Sequence, residues 1–350
     1  MNEILVAGNT LKSFMLKVLL KAEVREDVAH YLSEGLTQTS LRGVDSHGVR
    51  LFPHYLRGVR SGRINPKPNY KFSQTSPSTG LLNGDHTFGH AAGMEGAKRA
   101  VELASLAGTG HIAVYNSSHF GAAAYYALEI ARHDMIGMSF THTDSLIKTH
   151  GGTQPFLGNN PICVAVPCED EDPFCLDMAT SVITFNKVRE LKEQGLSAPL
   201  GVGANNEGIE TTDPNEIKML MPIGGYKGYG LSMLVEILCS LLTGMPYGPH
   251  IPKMFEAPLD QKRFLGHFFI AVKIASFQDV RHFKKRFSHM IHELRHQSPH
   301  TLEVKVQVPG DPEKKNMLQR SKEGIPVKSS DFKILKDIAL EYGISLDQTD

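Results

Sequence analysis

Neither sign of charge predominates in this chain of 350 residues: Lys and Arg total 37, and so do Asp and Glu. Without a basic or acidic surplus, neither nucleic acid nor an anionic membrane surface is expected as the main partner. No stretch approaches the roughly 18 uncharged apolar residues that a bilayer span requires. The opening MNEILVAGNTLKSFMLKVLLKAEV is apolar enough to suggest a leader. Lys12, Lys17 and Lys21 interrupt it at helical spacing, however, and no small-residue cleavage site follows a clean apolar block, so it reads as an amphipathic helix. Cysteine is scarce as well. Cys163, Cys168, Cys175 and Cys239 form no CxxC pair and have no histidine at ligand spacing. Three lie in or beside apparent strands and the fourth on an apolar helix, so they are expected to be reduced and buried in a cytoplasmic protein.

What the sequence does contain is periodicity over a length sufficient for two domains. Apolar positions recur at three and four over 10–22 and 26–42, with Glu23, Arg25, Glu26 and Asp27 as the polar break between them, and a further helical run is expected over 49–61. Between 65 and 85 the composition shifts to Pro, Ser, Asn, Gly and Thr, which marks a domain boundary with short strands at 70–72 and 80–82. Beyond it, helices are expected at 91–107, 122–132, 183–193, 226–243 and 279–296, and strands at 111–115, 136–141, 162–166, 174–176 and 266–272. The end reads as a strand at 302–308, a short helix at 313–321 and a last helix at 330–342. Such alternation ordinarily suggests parallel βαβ units. A Rossmann fingerprint is nevertheless missing: the nearest match, Gly108-Thr109-Gly110-His111-Ile112-Ala113, follows a predicted helix and opens a strand, the wrong order for GxGxxG.

The stretch VDSHGVRLFP, residues 44–53, places a histidine where a helical pattern stops. Gly48 is expected to end that helix and to leave Ser46 and His47 at an exposed terminus. His47 there either moves a proton at a carbonyl or carbinol or simply caps its own helix. His119 follows Asn116-Ser117-Ser118 at a predicted strand end and precedes Gly121 and an Ala-rich helix. Sites are often built at such turns, and a histidine there also serves as a backbone-bonded strand end. Asp144 either holds an imidazole tautomer or caps a turn. Lys227 begins a long apolar helix, where a cation is slightly disfavoured by the dipole. It either makes, with the backbone N–H groups beside it, an anion site suited to pyrophosphate or carboxylate, or is simply an exposed lysine beside a Gly-rich turn. Finally, His292-Glu293-Leu294-Arg295-His296 satisfies HExxH. Phe287, Met290, Ile291 and Leu294 define the buried face of that helix and leave His292 and His296 on the wet side with no third ligand evident. No metal is therefore expected, and a zinc metalloprotease is only the remote alternative.

Six motifs come in order: the SHG stretch, NSSHFGAAAYY at 116–126, GGTQPFLGNNPICVAVP at 151–167, FCLDMATS at 174–181, GGYKGYGLSMLVEIL at 224–238 and VPGDPE at 308–313. In content and spacing the chain resembles the malate/L-lactate dehydrogenase-like NAD(P)-dependent oxidoreductases, which include ureidoglycolate dehydrogenase and diketogulonate reductase. The resemblance implies an α+β fold without a Rossmann domain, with helical N- and C-terminal segments around a mixed, largely antiparallel sheet with helices. Residues 1–75 would form a helical domain joined by C-terminal helices from about 278 to 350, and 76–277 an NAD(P)-binding domain with the active site at its edge. It further implies NAD or NADP as cofactor, and interconversion of a small 2-hydroxy acid and a 2-oxo acid of malate or lactate type. Ureidoglycolate oxidation is the alternative, and the assembly would be a homodimer or higher. His119 or His47 would carry the proton, with Ser46 as a hydrogen-bonding neighbour. Thr143 and Asp144 would line the cofactor and substrate sites, and Asp177-Met178-Ala179, Lys227 and Gly310-Asp311-Pro312 would line the cofactor site. Many relatives carry a substrate arginine four residues beyond the SHG histidine. Here position 51 is leucine and the arginine is Arg50. One residue on a helix is about 100° of rotation, so Arg42 or Arg57 could serve in its place.

Overall fold

The computed structural model describes residues 3–299, 301 and 305–346. In chain order its helices are α1 (Gly8–Lys21), α2 (Glu26–Leu41), α3 (Phe52–Arg60), α4 (Gly89–Ala107), α5 (Ala124–Ala131), α6 (Phe185–Glu193), α7 (Tyr226–Glu236), α8 (Val280–Arg295), α9 (Asp311–Glu323) and α10 (Ser329–Tyr342). The early strands are β1 (Glu3–Val6), β2 (Lys71–Ser76), β3 (Thr79–Asn83), β4 (Thr109–Ser117), β5 (Met135–Thr141), β6 (Ile147–Lys148) and β7 (Pro155–Leu157). They are followed by β8 (Ile162–Val166), β9 (Phe174–Met178), β10 (Gly203–Ala204), β11 (Met219–Leu220), β12 (Leu265–Lys273) and β13 (Ile325–Lys328).

The apolar stripes of the first helices do what their spacing predicts. Leu11, Met15 and Val18 of α1 close onto Leu32 and Leu36 of α2, and Phe52 and Tyr55 of α3 join them. Each such fully buried side chain contributes about 1.5–3 kcal/mol of transfer free energy. The C-terminal segment returns to the same core: β13 pairs antiparallel with β1, and Phe332 and Leu335 of α10 pack beside α1. This pairing has no counterpart in the sequence reading, because its partners are over three hundred residues apart. Helix α8 goes elsewhere. Its one buried residue, Ile291, meets Cys168 and Val308 rather than the helical core.

A seven-stranded sheet ordered β2-β3-β4-β12-β5-β8-β9 carries the second core. Only β3 and β4, linked by α4, run parallel; the other neighbours are antiparallel. The alternation of helix and strand in sequence therefore does not produce a doubly wound parallel sheet, because β12 inserts between β4 and β5 and runs against both. The expected mixed, largely antiparallel sheet is what forms. A smaller sheet, β10-β11-β6-β7, consists of two- and three-residue strands that carry no periodic signal.

Several boundaries differ from expectation. The helix expected over 226–243 is α7 followed by a π-helical turn at Ile237–Leu241. Of the strand expected at 302–308, residues 302–304 lie outside the described residues and 305–308 carry no strand. Gly48 closes the 3-10 turn Asp45–His47 and does not end α2. α2 ends at Leu41, and the left-handed residue after it is Gly43 (φ +86°). Gly48 sits at φ −93°, and its lack of a side chain serves a different purpose. A Cβ there would lie 2.0 Å from Ser40 Oγ, which accepts a hydrogen bond from Val49 N at 3.0 Å. Ser46 and His47 consequently sit half-buried in a 3-10 turn instead of at an exposed terminus.

Gly110 is where β4 meets α4 most closely: a Cβ there would lie 2.0 Å from the Ala100 carbonyl oxygen, which is backbone and cannot swing aside. Gly110→Ala is expected to cost about 1–3 kcal/mol in urea unfolding with an unchanged m-value. A loss below a few tenths of that range would show that the layers are not rigidly spaced.

Candidate active site

His119 lies two residues beyond β4, and α3 supplies its partner. Tyr55 Oη is 2.7 Å from His119 Nδ1, and the two rings stack at 6.2 Å. His47 stacks on His119 from the other side at 5.5 Å, and its own Nδ1 is 2.8 Å from Ser46 Oγ. The structure thus brings together His119, His47 and Ser46, and adds Tyr55, which the sequence reading missed. Burial first, then the neighbouring imidazoles of His47, His90 and His54 and the Arg263 guanidinium, hold His119 well below the ordinary value of 6.5. Burial and then Arg50 push His47 down to about 4. Both imidazoles are neutral near pH 7, and a neutral imidazole can accept a proton.

Asp144 has a different partner from the one the sequence suggested. Its Oδ1 accepts from Arg263 Nη2, and its Oδ2 accepts from Met254 N at 2.7 Å. It therefore anchors an arginine and a loop, while the tautomer of His119 is governed by Tyr55. Arg263 is buried, and its Nε and Nη1 have no partner among the described residues. Its charge reaches His119, Tyr55 and His54. Arg63 pins the same segment by donating to the carbonyls of Met254, Ala257 and Pro258 at 2.7–3.0 Å. Phe255, on that segment, covers His54 at 5.1 Å. Arg50 lines a small crevice with Pro53, Val327, Asp331 and Leu335, beside β13 and α10. Arg57 is exposed, and Arg42 is buried against the end of α2 with its Nη2 unpartnered among the described residues. Among the described residues Arg263 keeps buried, unpartnered donors whose charge is felt by His119 and Tyr55, while the charge of Arg50 is felt by His47.

The residues expected around the cofactor lie on or just past β9, on the loops before β6 and α9, and at the start of α7. Thr143 ties two loops together, its Oγ1 accepting from Asn159 N at 3.0 Å and its N donating to Asn160 Oδ1 at 3.1 Å. Asp177 Oδ2 accepts from Ala124 N at 2.9 Å, which caps α5. Met178 and Ala179 lead to Thr180, whose carbonyl accepts from Ile223 N at 2.9 Å. Gly224 and Gly225 follow, both left-handed (φ +60° and +61°), and a Cβ on either would meet nothing within 4 Å. They open directly onto the first turn of α7, where Lys227 is exposed. At the opposite end Gly310 (φ +96°) lies against β9, where a Cβ would be 3.1 Å from Cys175 N.

The malate/L-lactate dehydrogenase family profile matches residues 6–336. A malate dehydrogenase of Pyrococcus abyssi is 36% identical over 353 aligned positions, covering 98% of this chain and 96% of its own. The chain belongs to the malate/L-lactate dehydrogenase family. The NAD(+)-dependent ureidoglycolate dehydrogenase of Escherichia coli K12 is 28% identical and 96% of each chain is covered. The crystal structure of malate dehydrogenase from Entamoeba histolytica superposes with a TM-score of 0.93 at 30% identity, covering 98% of this chain and 99% of that one. This member of the family is accordingly an oxidoreductase of the hydroxy-acid dehydrogenase class, with the non-Rossmann sheet described above.

The HExxH helix, α8, is tied through Arg295 to the loop that opens α9. His292 and His296 are exposed and stack on each other at 3.9 Å, and no group of three metal-ligating side chains occurs among the described residues. Between them, Arg295 grips both Glu171 oxygens at 2.9 Å and Asp311 at 2.5 and 3.0 Å, and Lys314 joins Glu171 at 2.6 Å. The Gly310-Asp311-Pro312 loop is thereby clamped to the β8–β9 turn. Removing the fork with Arg295→Met is expected to cost about 1–2 kcal/mol in unfolding and to raise the cofactor KM, with the KM of the acid unchanged.

A pH dependence follows from the buried imidazoles. Burial pushes His47 and His54 down to about 4, and His90 and His267 to about 3, from 6.5. In the folded protein they stay neutral where the unfolded chain binds protons. Stability is then complete above about pH 6.5 and is lost as pH falls toward 4, by up to about 1.4 kcal/mol per pH unit for each histidine. Thermal melts from pH 7 to 4.5 should show a steadily falling Tm; a flat profile over that range would contradict these burials.

Proposed function

We propose that this dehydrogenase interconverts a small 2-hydroxy acid and its 2-oxo acid, of malate or lactate type, with NAD or NADP, and that His119 moves the proton. The observation that carries the reading is Arg263: a buried guanidinium held through Nη2 by Asp144, with Nε and Nη1 unpartnered among the described residues and its charge felt by Tyr55 and His119. A 2-hydroxy carboxylate needs a cation for its carboxylate and a base for its hydroxyl, and planar guanidinium suits the first. Arg263 takes over the role expected for Arg50. When Tyr55 Oη accepts from Nδ1–H, Nε2 of His119 presents its lone pair and takes the hydroxyl proton during oxidation; during reduction it returns that proton to the oxygen. His47 and Ser46 flank the same space and orient the acid. The bound carboxylate offsets the charge that the imidazole gains.

The nicotinamide cofactor supplies hydride transfer when bound. The residues fit such a group, because Gly224 and Gly225 turn toward open space before a helix N-terminus that carries Lys227, a cradle for pyrophosphate. Thr143, Met178, Ala179, Gly310, Asp311 and Pro312 would hold it along the β9 edge, and Asp177 would shape that edge through α5. The helical core and the sheet core are read as the two domains, and the site lies where they meet. We also propose a homodimer. α7 and its π turn leave Tyr226, Leu231, Leu234, Ile237, Leu241 and Leu242 exposed on a helix that is apolar on both faces, and such helices are ordinarily covered. Four buried free cysteines support a cytoplasmic setting. Malate-type chemistry is favoured over ureidoglycolate by the identities of 36% and 28%.

The test follows nicotinamide absorbance with NADH and NADPH against oxaloacetate, pyruvate and a diketo sugar acid, and with NAD and NADP against malate, lactate and ureidoglycolate. His119→Ala is expected to lose about 10²–10⁴-fold in kcat with cofactor binding retained. Arg263→Lys keeps the charge and loses the fork, so the KM of the acid should rise about 10-fold and the KM of the cofactor should not. Turnover with ureidoglycolate alone would move the enzyme to that branch, and unaltered kinetics in His119→Ala would remove the proton assignment.

A further inference from the structure

A third imidazole stands behind the pair. His90 is the second residue of α4, and the first turn of α4 is built against the backbone that carries His119. Gly89 N donates to Ser118 Oγ at 3.0 Å, and Ser118 Oγ donates to the Thr87 carbonyl at 2.9 Å. A Cβ on Gly89 would lie 2.3 Å from the Ser118 carbonyl oxygen and 2.6 Å from the His119 carbonyl carbon. Two further glycines make the slot for the His90 ring. A Cβ on Gly121 would lie 2.5 Å from Nε2, and one on Gly35 would lie 2.7 Å from Cδ2. Gly121 also stands at φ +75°, a conformation that side chains rarely adopt. The ring meets Tyr55 edge-on, with centroids 5.2 Å apart and planes at 89°. It therefore touches α2, α3 and the His119–Gly121 turn at once, and it is 1% exposed.

Neither nitrogen of His90 has a hydrogen-bond partner among the described residues. Burying such a ring is unfavourable relative to an apolar side chain of similar volume. Stability alone would favour a different residue here. What imidazole supplies is shape: a flat ring fits a slot that two glycines keep open on its sides, and it sets an angle that a flexible aliphatic chain would not.

We propose that His90 is a positioning residue of this dehydrogenase, the spacer that sets Tyr55 against His119 and so leaves His119 Nε2 to the substrate. The inference rests on the reading of His119 as the proton carrier. The groups that face His90 are the rings of Tyr55 and Tyr125, and the ionisable groups that share its field are His47, His119 and His267.

The experiment compares His90→Ala, His90→Gln, Tyr55→Phe and the double variant His90→Ala/Tyr55→Phe in the full-length enzyme, with folding followed by thermal melts. In His90→Ala kcat should fall about 10-fold while the cofactor KM stays within about 2-fold, because a slackened turn misplaces the base without touching the cofactor. The acid limb of kcat/KM for oxidation should move up toward about pH 6.5 as water enters beside His119. Tyr55→Phe should add little in the His90→Ala background, since both remove the same hydrogen-bond geometry. His90→Gln, planar and of similar size, should recover most of kcat. Wild-type kcat and acid limb in folded His90→Ala, or losses that multiply with those of Tyr55→Phe, would overturn the proposal. If His90→Ala does not fold, His90→Met replaces it: an equal Tm with kcat still below that of His90→Gln supports the spacer, and equal kcat in the two overturns it. Turnover that survives His119→Ala would instead show that the site reading itself fails.

Discussion

One hydrogen bond, between Tyr55 Oη and His119 Nδ1, ties the helical core to the sheet core at the proposed proton carrier. Tyr55 is fully buried in the first core through α3, and His119 is carried on the end of a central strand of the second. Neither side chain is free to choose its position. Tyr55 is held by packing, and His119 is held by a backbone pressed against the first turn of α4. The geometry proposed for proton transfer therefore depends on how the two layers are spaced, and Gly89, Gly110 and Gly121 are among the places where that spacing leaves no room for a Cβ. Pre-organisation of this kind is costly in packing freedom and is what a proton-transfer site requires.

The same logic runs through the charged groups. Asp144 and Arg263 form a buried pair in which the carboxylate is satisfied twice and the guanidinium is left with donors to spare. A fully satisfied arginine there would bind nothing, and an arginine without Asp144 would be too costly to bury. At the other end of β9, the Arg295, Glu171, Lys314 and Asp311 network is only partly exposed and holds a Gly-containing loop at a fixed height. One network is left incomplete, next to the imidazoles, and the other is closed, where a loop has to stay still.

Much of this was legible in the residues. The helical stripes of α1, α2 and α10, the strands at the centre of the sheet and the linker after α3 follow from local periodicity and composition, which act over a few residues. The six motifs named the family and pointed to His47, His119 and Lys227. Local reasoning went wrong where a residue's neighbour in space is remote in sequence. Gly48 looked like a helix stop and is instead a close approach to Ser40. Arg263, more than two hundred residues beyond the SHG stretch, carried no signal as a neighbour of the histidines, yet it brings buried, unpartnered donors to them. Tyr55 carried no motif signal, because it reads as one more apolar position on the buried face of α3.

The sequence by itself determined balanced charge, alternating helix and strand without a nucleotide fingerprint of the Rossmann kind, and six ordered motifs whose family resemblance implied the α+β class. Only the tertiary structure decided which groups face one another. β12 had to insert between β4 and β5 before the sheet could be called antiparallel, and α3 had to dock on the end of β4 before His119 had a partner. The physical reason is the range of the forces. Periodicity, capping and turn preference are set by neighbours along the chain, whereas hydrogen-bond partners, desolvation and the pairing of buried charge are set by whichever side chains packing brings within a few ångströms.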